Sequence, residues 1–336
     1  KQIKNQFGFI FDIMPLPAKS DTNKGGSNTM SRLRLFSLTA LLIIAAMLIS
    51  GCGAAATTTA ATTAATTAGT TAAATTTTST TGTTEGTTAV TTTAASDSSL
   101  QKVLDKKEFI LGLDDSFPPM GYRNEKNEIV GFDIDLATEV TKRMGVALKL
   151  QPIDWAQKFN ELNSGLIDCI WNGYTLDDER RAETNVTEPY LKNRQVVVVR
   201  EDSAYKTLAD LKGKRLGVQA ASSATQALEG AKEFKDSLKE VVEFKENVTA
   251  LLDLEAKGTD ALLIDEIVAG YYITSQKKPF RILEESLAGE EYGIGFRKAD
   301  QSLRDEVQKQ LKAMAADGKM AEISTKWFGK DITVIK

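Results

Sequence analysis

The chain has 336 residues, 42% hydrophobic and 26% charged, with a formal net charge of −4. A mildly acidic balance with both signs interspersed gives no support for nucleic-acid binding. There is no histidine, and the two cysteines are Cys52 and Cys169, so Ser-His-Asp and Cys-His catalysis, His-ligated metal sites and a disulfide framework are excluded.

Residues 1–29 start with Lys and contain Lys24-Gly25-Gly26, which a ribosome-binding site rich in A and G would encode if read in frame. They are read as mistranslated upstream sequence, with Met30 as the start. Arg32 and Arg34 then form a positive n-region, and Leu35 to Ile49 an apolar run too short for a span of about 20 residues. The run closes with Leu48-Ile49-Ser50-Gly51-Cys52. This resembles the bacterial lipobox, and implies a signal peptide over 30–51 and an acyl anchor such as palmitate on Cys52. Residues 53–98 are almost entirely Ala, Thr and Gly. They lack the apolar side chains and periodicity of a core and are expected to form a flexible tether, on the order of 40 Å across as a random coil.

The remainder alternates strands and helices. Strands are predicted at 109–113, 147–153, 166–171 and 196–199, with helices following Asp133 and over 155–163. A second series follows: strand 215–219, helix 223–232, strand 241–245, helix 248–257, strand 261–265, helix 267–276 and strand 280–283. A strand at 292–296 and helices near 302–316 and 320–327 close the chain. Such alternation predicts a parallel-dominated sheet with helices on both faces, in two series and hence two lobes.

Five motifs stand in order: Asp114-Asp-Ser-Phe-Pro-Pro119, Gly131-Phe-Asp-Ile-Asp-Leu136, Asn172-Gly-Tyr-Thr-Leu-Asp-Asp-Glu-Arg180, Leu211-Lys-Gly-Lys-Arg-Leu-Gly-Val218 and Asp260-Ala-Leu-Leu-Ile-Asp265. Together, from about Phe109 to the C-terminus, they resemble the polar amino-acid-binding proteins of ABC importers, the family 3 solute-binding proteins. The resemblance implies a periplasmic-binding-protein-like α/β fold, with a ligand cleft between two lobes joined by two crossing strands near 194–201 and 290–297.

An α-amino acid needs a cation for its carboxylate and an anion for its ammonium. Arg180 suits the first through a bidentate guanidinium, and the resemblance places the carboxylate-binding arginine there; the alternative is a pair with a neighbouring acid. Asp265 ends an apolar strand where a carboxylate faces the cleft, and the resemblance makes it the ammonium's partner. The alternative is an N-cap for the next helix. The resemblance also implies carboxylate contacts from Gly173 and Thr175, in a loop after strand 166–171, with Asn172 where many members have Ser or Ala. Phe117 and Trp155 are candidate walls around the ligand side chain, or ordinary core. Asp114 is placed to read the polar end of that side chain, which suits Lys, Arg or His and equally Gln or Cys-type ligands. Gln219 and Ser223 are second-lobe contacts, although Ala220-Ala221-Ser222 replaces the usual glycine-bearing turn. Asp133 and Asp135 are read as a helix N-cap and a first-turn charge, and Cys169 as a buried inert thiol.

The expected organisation is lobe 1 over 99–197 and 293–336, and lobe 2 over 198–292. The expected function is capture of a polar L-amino acid and its delivery to an ABC permease. The protein is expected to be a monomeric, lipid-anchored chain on the extracytoplasmic face of a bacterium without an outer membrane, with no cofactor, no metal and no catalysis. A small-carboxylate dehydratase of the same fold and a ligand-sensing surface lipoprotein are the rival readings.

Overall fold

The computed structural model describes residues 97–335. Met30, the signal peptide, Cys52 and the tether up to Ser96 lie outside the described residues. In chain order the first half comprises α1 (Ser99–Lys106), β1 (Glu108–Leu113), β2 (Ser116–Phe117), β3 (Gly121–Arg123), β4 (Ile129–Val130), α2 (Phe132–Met144), β5 (Ala147–Pro152), α3 (Lys158–Asn163), β6 (Cys169–Thr175), α4 (Asp178–Glu183), β7 (Asn185–Val186) and β8 (Leu191–Arg200). The second half comprises β9 (Arg215–Gln219), α5 (Ser223–Gly230), α6 (Lys232–Ser237), β10 (Glu240–Phe244), α7 (Asn247–Glu255), β11 (Ala261–Asp265), α8 (Glu266–Gly270), β12 (Phe280–Phe296), α9 (Gln301–Ala316) and α10 (Lys319–Phe328). None of the described helices is long and apolar enough to cross a membrane.

The sheet runs β10-β9-β11-β8-β12-β6-β1-β5. Both flanks are parallel: β5, β1 and β6 on one side, β10, β9 and β11 on the other. Between them β8 and β12 run antiparallel to each other and to their outer neighbours. These are the two strands that cross between lobes. Val196 to Val199 has no exposed side chain, because β8 is paired on both edges by β11 and β12 and covered on both faces.

Helices form where apolar residues recur at helical spacing. In α2, Phe132, Leu136, Ala137 and Val140 are fully buried, and Gly145 at φ +74 ends the helix by donating to Thr141 and Lys142 carbonyls. Its N-cap is Gly131, with Phe132 already helical. Asp133 is therefore not the N-cap but lies inside the first turn, and its carboxylate is aimed into the core. Asp135 accepts from Lys326 Nζ at 2.6 Å and Trp327 Nε1 at 2.7 Å, tying α2 to α10. The C-terminal helices also meet the start of the fold: Ser99 Oγ lies 3.0 Å from Ser302 Oγ and accepts from the Leu303 N–H at 3.2 Å.

Two strands differ from expectation. The predicted strand 166–171 begins at Cys169 and continues to Thr175, because Tyr174 and Thr175 pair with Gly293 and Tyr292 of β12. The strands predicted at 280–283 and 292–296 form one 17-residue strand, whose pairing with β8 shifts register between Ile282 and Ala288. Cys169 is fully buried, and burial pushes its thiol well up, as befits an inert core sulfur.

Candidate functional site

Parallel strands end on the same side, and ligands of open α/β sheets sit at carboxyl ends. Here β1 leads into Asp114, β6 carries Asn172 and Gly173 near its end, β9 ends at Gln219 and β11 ends at Asp265. One cavity is lined from the first lobe by Asp114, Phe117, Trp155, Asn172, Gly173 and Arg180. From the second it is lined by Gln219, Ser222, Ser223 and Asp265. Nine of the ten sequence-predicted site residues thus share a cavity. Thr175 stands behind it, its hydroxyl 3.2 Å from Ser223 Oγ. The water-accessible volume is about 10 Å³, about one water molecule, because the lobes touch directly. Gln219 Nε2 donates to Asp114 Oδ2 at 2.8 Å, and Lys158 Nζ donates across the cleft to the Ala221 carbonyl at 2.9 Å.

Arg180 is placed by a short helix. Asp177 Oδ1 accepts the Arg180 N–H at 2.7 Å as the N-cap of α4, and its Oδ2 lies 3.3 Å from Arg180 Nε. Arg180 Nη1 donates to the Thr175 carbonyl at 3.2 Å, and the guanidinium carbon lies 5.0 Å from the Tyr174 ring centre. The side chain is 3% exposed and lines the cavity. It therefore both pairs with a neighbouring acid and presents its remaining N–H groups to the cleft.

Gly173 adopts φ +56, and a Cβ there would meet the Phe117 ring at 2.7 Å and Tyr292 at 3.2 Å. Its N–H is committed to Asp133 Oδ2 at 2.7 Å, so the position contributes close approach rather than a free donor. Burial pushes Asp133 up to about 7, against the pull of that N–H, the Tyr190 hydroxyl and the Trp171 indole. Beside Gly173, the Asn172 side chain is 2% exposed and neither of its amide atoms has a hydrogen-bond partner within the protein.

Asp114 accepts from Ser116 N–H at 2.9 Å and Ser116 Oγ at 2.6 Å, besides Gln219. Burial raises its carboxyl above the usual range in spite of these donors. Gln219 is held in turn by Asn247 Nδ2 at 2.9 Å. Phe117 and Trp155 each belong to a core cluster and also line the cavity.

Asp265 occupies the N-cap position of α8 without a side-chain cap bond. Its Oδ1 instead accepts from Asn193 Nδ2 at 2.7 Å and from the Tyr292 hydroxyl. Burial, then the nearby Glu290, push its carboxyl up. Asn193, Gln195, Glu290, Ser222 and Lys158 are not singled out by the sequence reading. Asn193 and Gln195 alternate into the site just before the Val196 run, a period-two polar signal on a crossing strand; Glu290 stands at the edge of the crossing strand expected near 290–297, with nothing in the sequence to mark it out. Among the described residues, no group of three Cys, Asp or Glu side chains is placed to hold a metal ion.

Residues 109–330 match the bacterial extracellular solute-binding proteins, family 3. The chain is 31% identical over 227 residues to the arginine-binding extracellular protein ArtP of Bacillus subtilis (strain 168), covering 66% of this chain and 87% of that protein. It is 27% identical over 241 residues to the L-cystine-binding protein TcyJ of Escherichia coli (strain K12), covering 71% and 89%. Among solved structures it resembles an ABC uptake transporter substrate-binding protein from Streptococcus pneumoniae with bound histidine, at TM-score 0.69 and 37% identity, covering 71% of this chain and 99% of that one.

Proposed function

The chain belongs to the bacterial extracellular solute-binding proteins of family 3, and from that premise we propose that it captures an L-amino acid with a cationic side chain and delivers it to an ABC importer. The observation that carries this is the opposition of Arg180 and Asp265, from different lobes, across one cavity. Arg180 would take the α-carboxylate and Asp265 the ammonium, with Asn172 completing its hydrogen bonds on the ligand. Asp114 lines the same cavity as Phe117 and Trp155, a buried carboxylate in a site with aromatic walls, which suits guanidinium or imidazolium. The arginine-binding and histidine-bound relatives support that choice. Gln219 and Ser223 close the second-lobe side, and Thr175 supports Ser223 from lobe 1.

A ligand of this size enters only when the lobes part, by hinge motion at β8 and β12. We take lobe 1 as 99–197 with 293–336 and lobe 2 as 198–292. The closed pair of lobes is the surface the permease reads. Release of the unmodified amino acid, rather than turnover, completes the cycle. A lipid on Cys52 and a tether over 52–98 would hold a monomer at the membrane, and Cys52→Ala should then free it from membranes.

A thermal-shift panel of the twenty amino acids and their decarboxylated amines tests the assignment. Arginine or histidine should raise the melting temperature, agmatine and histamine should not, and Arg180→Lys should remove the response, at a cost of about 2–5 kcal/mol in binding. An amine that stabilises as well as its parent amino acid overturns it.

A further inference from the structure

Glu290 faces Asn193 across the hinge ladder of β12 and β8. Its Oε2 accepts from Asn193 Nδ2 at 2.9 Å, Gln195 Nε2 at 3.1 Å and Thr175 Oγ1 at 3.2 Å. The same Asn193 Nδ2 donates to Asp265 Oδ1. Two carboxylate oxygens bonded to one nitrogen lie at most about 6 Å apart. At that range two negative charges repel strongly once water is excluded, and Asp265 is only 6% exposed.

Opposing this, Arg180 of α4 and the Tyr292 hydroxyl and Gln195 amide from the crossing strands favour the ionised form of Asp265. The open groove that Glu290 also lines carries Asp177, Lys192, Arg194, Glu266, Glu284, Glu285 and Glu291. Arg194 is held there by Glu266, through two hydrogen bonds of 2.8 and 2.5 Å. Burial and Glu290 therefore act together on Asp265 against one buried guanidinium and three neutral donors, the Asn193 amide among them.

We propose that Glu290 is a positioning residue for Asp265: it holds a proton on Asp265 in the unliganded site, and capture of the ligand's ammonium drives that proton into solvent. The Asp265 O–H bond breaks, the electron pair stays on the carboxylate, and the proton passes to buffer, while the ammonium keeps its own three hydrogens. The proposal rests on the reading of Asp265 as the ammonium's partner. Its consequence is that amino-acid capture tightens as pH rises, until Asp265 ionises unaided.

Calorimetric titration of the full chain with L-arginine, at mildly acidic pH in buffers of different ionisation heat, reads the proton directly. The parent should release about one proton per arginine, with affinity rising about tenfold per pH unit. Glu290→Gln keeps an acceptor for the three donors and removes the charge; it should release less than about a third of a proton and flatten the pH profile. Glu290→Ala gives the same readout should the amide disturb the hinge. A parent that releases no proton, or a Glu290 variant that releases as many as the parent, overturns the proposal. Infrared titration of the unliganded chain separates this from a failure of the functional reading. A protonated-carboxyl signal absent from Asp265→Asn should persist to higher pH in the parent than in Glu290→Gln, whichever amino acid binds. Equal titration in the two overturns the proposal even where arginine binds.

Discussion

Lys158 and Ala221 face each other from opposite lobes, the buried ammonium donating to the carbonyl of a residue held at φ +53. The same ammonium donates to the Trp155 carbonyl at 3.3 Å. Burial, reinforced by Arg180, pushes it down to about 8. It thus clips the backbone at Trp155 to the Ala221 turn across the cleft.

Lys158→Met keeps the aliphatic stem and loses the clip. Ligand dissociation should speed up about tenfold while association changes little, since related complexes differ mainly in off-rate. Stopped-flow measurement of both rates checks this, and an unchanged off-rate would show that the clip does not hold the cleft shut.

Both side-chain amide atoms of Asn172 are buried without a partner in the protein. A buried amide without partners is destabilising by about 1–3 kcal/mol. Asn172→Ala should leave the unliganded chain as stable as the parent or more so, and should weaken ligand binding about tenfold. Chemical denaturation and calorimetry measure the two halves; a fall in both stability and affinity would mean that the amide serves the core instead.

Gly173→Ala should destabilise the fold by about 1–3 kcal/mol, because the left-handed backbone is strained for alanine. The added methyl also drives against Phe117, so affinity should fall with it. Denaturant unfolding of the variant, with and without ligand, reads both effects.

Asp133 sets a pH dependence whose sign follows from burial. The folded chain keeps this proton up to about pH 7, whereas an unfolded aspartate loses it near pH ~4. Its contribution to stability is full below pH ~4 and is lost as pH rises to about 7, by up to about 1.4 kcal/mol per pH unit. Asp265, raised in the same direction, adds to the slope. Asp133→Asn should remove the Asp133 share, seen as a shallower fall in melting temperature across that window. An identical slope in parent and variant would place the Asp133 proton elsewhere.

The residues most legible in the sequence are those that terminate apolar runs. Asp114, Gln219 and Asp265 each follow a run of buried strand residues, and Arg180 sits after a cluster of acids that caps its helix. The hinge is less legible. Residues 284–289 fall between the strands read from the sequence, and the register shift there joins those strands into one; Glu290 stands at the edge of the expected crossing strand among Glu284, Glu285 and Glu291, with nothing to mark it out. The polar end of β6 is also obscured: the strand runs on through Asn172 and Gly173 because Tyr174 and Thr175 beyond them pair with β12. The difference at Asp133 is smaller, since the helix opens at Phe132, and a carboxylate inside the first turn can point inward. The small sheet of β2, β3 and β4 has pieces of two or three residues, below what periodicity can register.

The contact of Ser99 with Ser302 and Leu303, and of Asp135 with Trp327, bears on how the chain is made. The lobe begun first is finished last, because α9 and α10 arrive only after the whole of the other lobe has been synthesised. Residues 203 positions apart must meet before α1 has its neighbour, a long loop to close and a slow step. A nascent chain lacking its final stretch has a complete second lobe and an unfinished first one, with the faces of α1 and α2 still uncovered. For a protein of an extracellular family, that delay keeps the chain pliable until its last residues have been added.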